Sequence, residues 1–261
     1  MPAEPLLRVR DLAKTYFRRR RWLAAPQPAM VALSGVSFTL ERGRTLAVVG
    51  ASGSGKSTLA RCLAQFETPT GGEILFEGSP LSPQRRLDIQ LIFQQPAASL
   101  NPRFTAAEIV EEPLAIQRAG TREGRRERAA FALELTGIAR TALGKRAYEF
   151  SGGERQRLAI ARALVAEPKV LILDESFNGL DVTLAAQIAA LLTALQQRLG
   201  IAYILISHDL TLVSSLADEI AVMDRGTIVE HAPTATLMSQ PRHAQTRALI
   251  AASLALVGRR A

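Results

Sequence analysis

The chain has 261 residues, 48% of them hydrophobic, enough for one large core or for one core with a small satellite. Its 32 Lys and Arg against 24 Asp and Glu give a formal charge of +8, which suits anionic partners (a nucleotide, a lipid surface, nucleic acid) without choosing among them. A single cysteine, Cys62, excludes an intrachain disulfide and any cysteine-rich metal site, and no uncharged apolar run reaches the roughly 18 residues of a membrane-crossing helix.

The N-terminal "MPAEPLLRVRD" lacks a charged start followed by an apolar run, so no secretory signal is expected. The expectation is a soluble, cytosolic protein whose membrane-spanning partner, if any, is a separate polypeptide. Residues 6–17 and 31–41 read as extended, because "LLRVRDL" and "VSFTL" alternate. Between them "RRRR" at 18–21 leads into "WLAAPQPA", which reads as a loop. "RTLAVVG" at 44–50 is a short apolar run ending in glycine, a buried strand by its pattern, and "KSTLARCLAQF" continues as a helix with Cys62 as small core filler. "GGEILFEG" and "DIQLIF" are further strands. From about 96 to 168 the pattern turns helical, ending in "SGGERQRLAIARALVAE", where Leu158, Ala161, Leu164 and Val165 share one face and Arg155 and Arg162 lie off it. Arg122, Arg125, Arg126 and Arg128 alternate with Glu123 and Glu127, which reads as a solvated face. Strand and helix then alternate: "KVLILDES", a helix over 181–199, "AYILISH", a helix over 209–217, and a hairpin around Asp224–Gly226. That order predicts an α/β fold with a mainly parallel sheet, a helical insertion and an N-terminal β element.

Two stretches look built to hold an anion. Gly50 to Ser57 fits G-x-x-x-x-G-K-[ST] between a strand and a helix, as a phosphate loop requires. Its glycines let successive backbone N–H groups face β-phosphate oxygens, Lys56 supplies a point charge to the β- and γ-phosphates, and the Ser57 hydroxyl is a Mg²⁺ ligand. In "FSGGERQR", Ser151 can cap a helix and Glu154 completes a capping-box pattern, with two glycines leaving the first N–H groups uncovered. "VLILDE" brings Asp174 and Glu175 to a strand's C-terminal end, where ligands bind in open α/β sheets. Asp174 suits a hydrated Mg²⁺ shell, and Glu175 can polarise or deprotonate an attacking water. Taken alone, the pair serves equally well as a cap for the next helix. "ILISHDL" repeats the pattern with His208, a position from which a side chain can reach a γ-phosphate.

Together with "SGGE" upstream of Asp174, these motifs resemble the ATP-binding cassette (ABC) ATPases over essentially the whole chain. The resemblance implies the P-loop ABC ATPase fold, with an α/β nucleotide-binding core over 1–95 and 168–232 that includes an antiparallel β subdomain, a helical subdomain over 96–167, and a tail over 233–261. It implies that Tyr16 stacks on adenine and that Gly50, Ala51, Ser52, Gly53, Ser54, Gly55, Lys56, Ser57 and Thr58 hold the phosphates. Gln94 corresponds to the glutamine that touches Mg²⁺ and relays to membrane subunits. Ser151, Gly152, Gly153 and Glu154 match the signature loop, Asp181 the aspartate after the Mg²⁺ strand, and His208 the switch histidine. Glu175, His208 and Lys56 are the implied catalytic residues, Ser57, Gln94 and Asp174 the implied metal residues, and ATP and Mg²⁺ the implied cofactors.

"IQLIFQQPAASLNPRFT" and the tail "IVEHAPTATLMSQPRHAQTRALIAA" are similar to peptide- and nickel-importer ATPases. Ala244 and Gln245 replace the family's Pro-Tyr, Phe150 replaces Leu, and Glu154 stands where Gln is usual. With Cys62 alone, an iron–sulfur centre of the kind some relatives carry is excluded. The implied function is the ATPase subunit of an uptake system for peptides, nickel or a related small solute, on the cytoplasmic face of the membrane. Its implied partners are a second ABC ATPase, with a heterodimer favoured, two membrane permease subunits and an extracytoplasmic solute-binding protein, and no nucleic acid. The alternative is an auxiliary ATPase of a phosphonate carbon–phosphorus lyase complex.

Overall fold

A computed structural model of the chain describes residues 4–18, 27–93 and 96–257. In chain order these form β1 (Leu7–Arg18), β2 (Gln27–Leu40), β3 (Thr45–Val49), α1 (Lys56–Leu63), β4 (Gly71–Phe76), the short β5 (Ser79–Pro80) and β6 (Ile89–Ile92). Helices α2 (Ala106–Ile116), α3 (Arg122–Leu135) and α4 (Gly152–Leu164) follow, then β7 (Val170–Asp174), α5 (Val182–Leu199), β8 (Ala202–Ser207) and α6 (Leu210–Ser214). The chain closes with β9 (Glu219–Asp224), β10 (Thr227–Pro233), α7 (Thr234–Ser239) and α8 (Ala244–Val257). Two compact units result: Met1–Arg86 with Ala202–Ala261, and Leu87–Ile201. The architecture is mixed α/β, with mostly parallel pairing around the central strands and a separate antiparallel sheet, as the alternation of elements predicts.

In the first unit, β2, β1, β4 and β5 form an antiparallel sheet in that order. The alternation in "VSFTL" has the expected outcome: Val36, Phe38 and Leu40 are buried while Ser37 and Thr39 are exposed. β2 begins at Gln27, so the loop read over 22–29 keeps only residues outside the described ones; Arg19, Arg20 and Arg21 also lie outside them. β3 is buried throughout and pairs parallel with both β8 and β9, so its continuous apolar run needs no polar face. β9 returns antiparallel as β10 through a turn at Arg225 and Gly226, both at positive φ.

The helix expected over 209–217 ends earlier, at Ser214. Its last turn closes on Val213, whose carbonyl accepts from the Leu216 and Ala217 amides, and Asp218 leaves to accept from the Thr45 amide at 2.8 Å. Beyond β10 the chain folds back rather than trailing away. Glu230 accepts the Arg242 and His243 amides, both at 2.9 Å, and the Thr246 hydroxyl at 2.5 Å, which pins the start of α8. Partial burial raises its pKa, but these three donors outweigh that and hold the carboxyl below its usual range.

In the second unit, β6 and β7 pair in parallel, and α2, α3 and α4 close over a core that includes Ile109, Val110, Leu114, Leu133 and Leu158. Each of these helices starts on a hydroxyl: Thr105, Thr121 and Ser151 accept from the amides of Glu108, Gly124 and Glu154. Of the α3 arginines, Arg122 and Arg126 are exposed as expected, whereas Arg125 and Arg128 are half-buried and donate to Gly120 O and Val165 O, both at 2.9 Å. Among the described residues no helix is long and apolar enough to cross a membrane.

Candidate nucleotide site

In the first unit, β3 delivers the chain into the loop Gly50–Gly55, and α1 begins at Lys56. The loop's glycines are dictated from behind. A Cβ at Gly50 would run into the Met223 carbonyl oxygen, and one at Gly55 into that of Ala32. Gly53 has φ +79°, with open space where a Cβ would point. One backbone hydrogen bond holds the loop to the β9–β10 turn, Gly226 N–H to Ser54 O at 2.9 Å, and a second holds that turn to β2, Ser34 N–H to Gly226 O at 2.8 Å. Lys56 is buried, and its Nζ donates to the carbonyls of Gly50 and Ala51 at 2.8 and 2.9 Å. Ser54 is buried, Ala51, Ser52 and Gly53 are exposed, and Ser57 and Thr58 are half-buried at the first turn of α1.

This donor set fits a polyphosphate. It combines backbone amides around an open glycine turn with one buried ammonium and a hydroxyl at the helix start. Among the described residues no three His, Cys, Asp or Glu side chains group to hold a metal. A Mg²⁺ ion here would therefore take its remaining ligands from phosphate and water, as that ion ordinarily does.

His208 follows β8 and is exposed. Because Val49 and Ser207 are opposite each other in the parallel β3–β8 pair, Gly50 and His208 leave the sheet side by side at its C-terminal edge. Tyr16 lies on β1, half-buried, with its hydroxyl bonded to Glu67. Cys62, inside α1, is buried, and burial pushes its thiol up to about 11, which makes it inert filler.

The second unit holds the acidic and signature residues. Asp174 ends β7 and is buried. Glu175 has φ +49°, an uncommon conformation for a non-glycine residue that turns its side chain out of the strand's alternation; Asn178 Nδ2 donates to its Oε2 at 2.9 Å. Asp181 caps α5 by accepting the Leu184 amide at 2.8 Å. Leu184 in turn packs against Gly153, where an added Cβ would lie 3.0 Å from its Cδ1. The starts of α4 and α5 therefore meet. Gln94 lies outside the described residues.

Ser151 and Glu154 form the reciprocal box that their spacing predicts. Ser151 Oγ accepts the Glu154 amide at 3.2 Å, and Glu154 Oε2 accepts the Ser151 amide at 2.8 Å. That backbone bond, then the Ser151 hydroxyl, hold the Glu154 carboxyl below its usual range. The carboxylate that replaces the family's glutamine is thus held, still ionised, by hydrogen bonds from its own helix start. Since the folded pKa is depressed, its contribution is present above about pH 4.3 and is lost as pH falls through the folded value. Glu154 is exposed, so solvent screening leaves the contribution at a few tenths of a kcal/mol. Glu154→Gln, which can still accept from the Ser151 amide, is expected to melt at the wild-type temperature at pH 7, whereas Glu154→Ala melts slightly lower. The gap between wild type and Glu154→Ala should narrow as pH falls below the ordinary glutamate range in a thermal denaturation series.

Three contributors escape sequence reasoning. Gln156, buried in α4, donates to Ser176 O at 3.0 Å, and Ser176 Oγ donates to Ile92 O at 3.2 Å. This relay fixes α4 to the turn carrying Asp174 and Glu175. Its one signal is a glutamine at helical spacing with buried Ile160 and Ala163. Asn178, the third, has no signal beyond its nearness to Glu175.

Comparison with known proteins places this geometry. The family model described as ABC transporter matches residues 33–178. The chain is 46% identical to the dipeptide transport ATP-binding protein DppF of Escherichia coli over 257 residues, covering 96% of this chain and 77% of that protein. It is 43% identical to a probable peptide ABC transporter ATP-binding protein of Sinorhizobium fredii, covering 96% and 73%. Among solved structures, cbiO1 of Clostridium perfringens, part of the ABC transporter complex cbiONQ, superposes with a TM-score of 0.77 at 30% identity, covering 91% of this chain and 92% of that one. The ATP-binding cassette MJ0796, a dimer bound to ADP and Pi, superposes with a TM-score of 0.72 at 28% identity, covering 87% and 98%. A glycine-rich loop with a buried lysine in one unit, a carboxylate-bearing strand and a capped helix start in the other, a family match across more than half of the chain and 46% identity to a dipeptide transport ATP-binding protein make it an ATP-hydrolysing member of the ABC transporter family.

Proposed function

We propose that this protein is the ATP-binding subunit of an importer for peptides or a related small solute, nickel included, working with separate membrane subunits. The observation that carries the reading is the 46% identity to a dipeptide transport ATP-binding protein along 96% of the chain. The divisions read from the sequence, a nucleotide-binding core, a helical signature subdomain and a tail, are part of the same proposal.

In this reading the Gly50–Thr58 loop and Lys56 bind the phosphates, Tyr16 stacks on adenine, and Ser57, Gln94 and Asp174 hold Mg²⁺ directly or through water. Bound Mg²⁺ supplies charge neutralisation at the β- and γ-phosphates. Glu175 orients the attacking water and takes its proton, while His208 donates towards the γ-phosphate. Ser151–Glu154 and Asp181 serve the nucleotide of a second ATPase, so that hydrolysis requires two cassettes to close. The dimeric ADP-bound cassette of MJ0796 supports that pairing. With the phosphates held between two subunits, chemistry can be converted into motion of membrane partners docked near Gln94.

Isolation of the affinity-tagged protein from detergent-solubilised membranes of its source cells tests the assignment. The expected result is co-purification with two integral membrane subunits and a second ATPase polypeptide, with ATPase activity stimulated by peptide and its binding protein. Recovery with soluble carbon–phosphorus lyase subunits and no membrane protein would establish the alternative reading instead.

A further inference from the structure

The sequence reading assigns Tyr16 without saying what holds it. In the structure, the segment that follows α1 holds it. α1 starts on the phosphate loop and spans about 12 Å. Its end is closed by two backbone bonds, from the Phe66 and Glu67 amides to Arg61 O at 2.8 and 3.2 Å, after Gln65 adopts φ +58°. The segment then runs along β1: Thr70 N–H donates to Ala13 O at 2.8 Å, and Thr15 N–H to Thr70 Oγ1 at 3.1 Å. Glu67 is thereby fixed by backbone on both sides, and its carboxylate accepts the Tyr16 hydroxyl at 2.5 Å.

The carboxylate is held in turn by cations. Lys14 Nζ lies 3.4 Å from Glu67 Oε2, donates to Thr68 O at 2.8 Å, and sits 5.2 Å from the centroid of the Tyr16 ring. Arg61 approaches the other oxygen at 3.6 Å. Desolvation raises the Glu67 pKa, but the Tyr16 and Lys14 hydrogen bonds and the two cations outweigh it, so the carboxyl is held low and ionised at neutral pH. The Lys14 ammonium lies over one face of the ring, which leaves stacking to the opposite face.

We infer that Glu67 is a positioning residue for the purine base: it locks the phenol of Tyr16 to the end of α1, so that one helix sets the spacing between the stacking ring and the phosphate loop. The inference rests on the reading of Tyr16 as the base-stacking residue, and the test separates the two. Binding of ATP and of inorganic tripolyphosphate is measured for Glu67→Ala, Glu67→Gln, Tyr16→Ala, Tyr16→Phe and the Tyr16→Phe/Glu67→Ala double variant. One hydrogen bond has a net worth of about 0.5–1.5 kcal/mol, so Glu67→Ala should weaken ATP binding about threefold to tenfold and leave tripolyphosphate binding unchanged. KM for ATP should rise with little change in kcat at saturation. Glu67→Gln, which still accepts from the phenol, should stay within about twofold of wild type, and the double variant should bind no worse than Glu67→Ala, because both lose the same bond. Should Glu67→Ala fold poorly, Tyr16→Phe removes only the phenol and reads the same bond. If Tyr16→Ala weakens ATP while Glu67→Ala and Tyr16→Phe do not, or if ATP and tripolyphosphate weaken together, the positioning role is overturned. If Tyr16→Ala itself leaves ATP binding unchanged, the stacking reading falls, and the inference with it.

Discussion

Glu175→Gln is expected to bind ATP as the wild type does and to hydrolyse it about a hundredfold to ten-thousandfold more slowly, the usual worth of a positioned general base. The substitution keeps the side chain's shape, and its amide oxygen can still accept from Asn178 Nδ2, which lies 2.9 Å from the present carboxylate. Basicity is what is lost. The left-handed backbone at Glu175 is unchanged by the replacement, so the altered group stays where the carboxylate was. Phosphate release measured under saturating ATP, beside equilibrium binding of the same nucleotide, separates the two quantities. Size-exclusion chromatography should also show the variant accumulating as an ATP-bound dimer, because closure is no longer followed by hydrolysis. Turnover at the wild-type rate would remove Glu175 from the chemistry.

Lys56→Met should weaken ATP binding about a hundredfold. In the structure the Nζ group is buried and donates to two loop carbonyls, Gly50 O and Ala51 O. A bound polyphosphate offers it two anionic oxygens in exchange, and charge-assisted bonds are worth about 1.5–3 kcal/mol each. Net loss of one such bond gives a factor of roughly ten to two hundred in affinity. Methionine keeps the methylene packing and removes only the charge and the donors. A thermal melt run alongside calorimetric titration separates the binding effect from any loosening of the loop, whose carbonyls lose their donor. Unchanged affinity would contradict the phosphate-loop assignment.

Local rules carried the sequence a long way here. The apolar run before Gly50, the box at Ser151 and Glu154, and the alternation at Val36, Phe38 and Leu40 each depend on neighbours within a few positions, and each is present in the fold. The misses are pairs whose partners no local signal names. Glu67 meets Tyr16 across 51 positions and Gln156 meets Ser176 across 20. Nothing in the period of a helix or strand marks a side chain as the partner of one so distant. The end of the chain follows the same logic. The tail carries α7 and α8, and Glu230, which pins α8, lies 12 to 16 residues before its partners. Gln94 is legible only by resemblance and lies outside the described residues.

The rear wall of the phosphate loop is made largely of main chain, with the Leu33 and Met223 side chains filling in behind Gly55. Its main-chain contacts are the carbonyls of Met223 and Ala32 behind Gly50 and Gly55, and the Gly226 amide on Ser54. Alanine scanning would therefore read only part of it: Met223→Ala empties the side chain packed behind Gly55 but keeps the carbonyl in place, and position 32 is already alanine. Met223 is fully buried, so its truncation would report lost packing rather than the carbonyls that exclude a Cβ at positions 50 and 55. Only a change to the peptide bond itself, such as an amide-to-ester replacement at Gly226, would expose them as one surface.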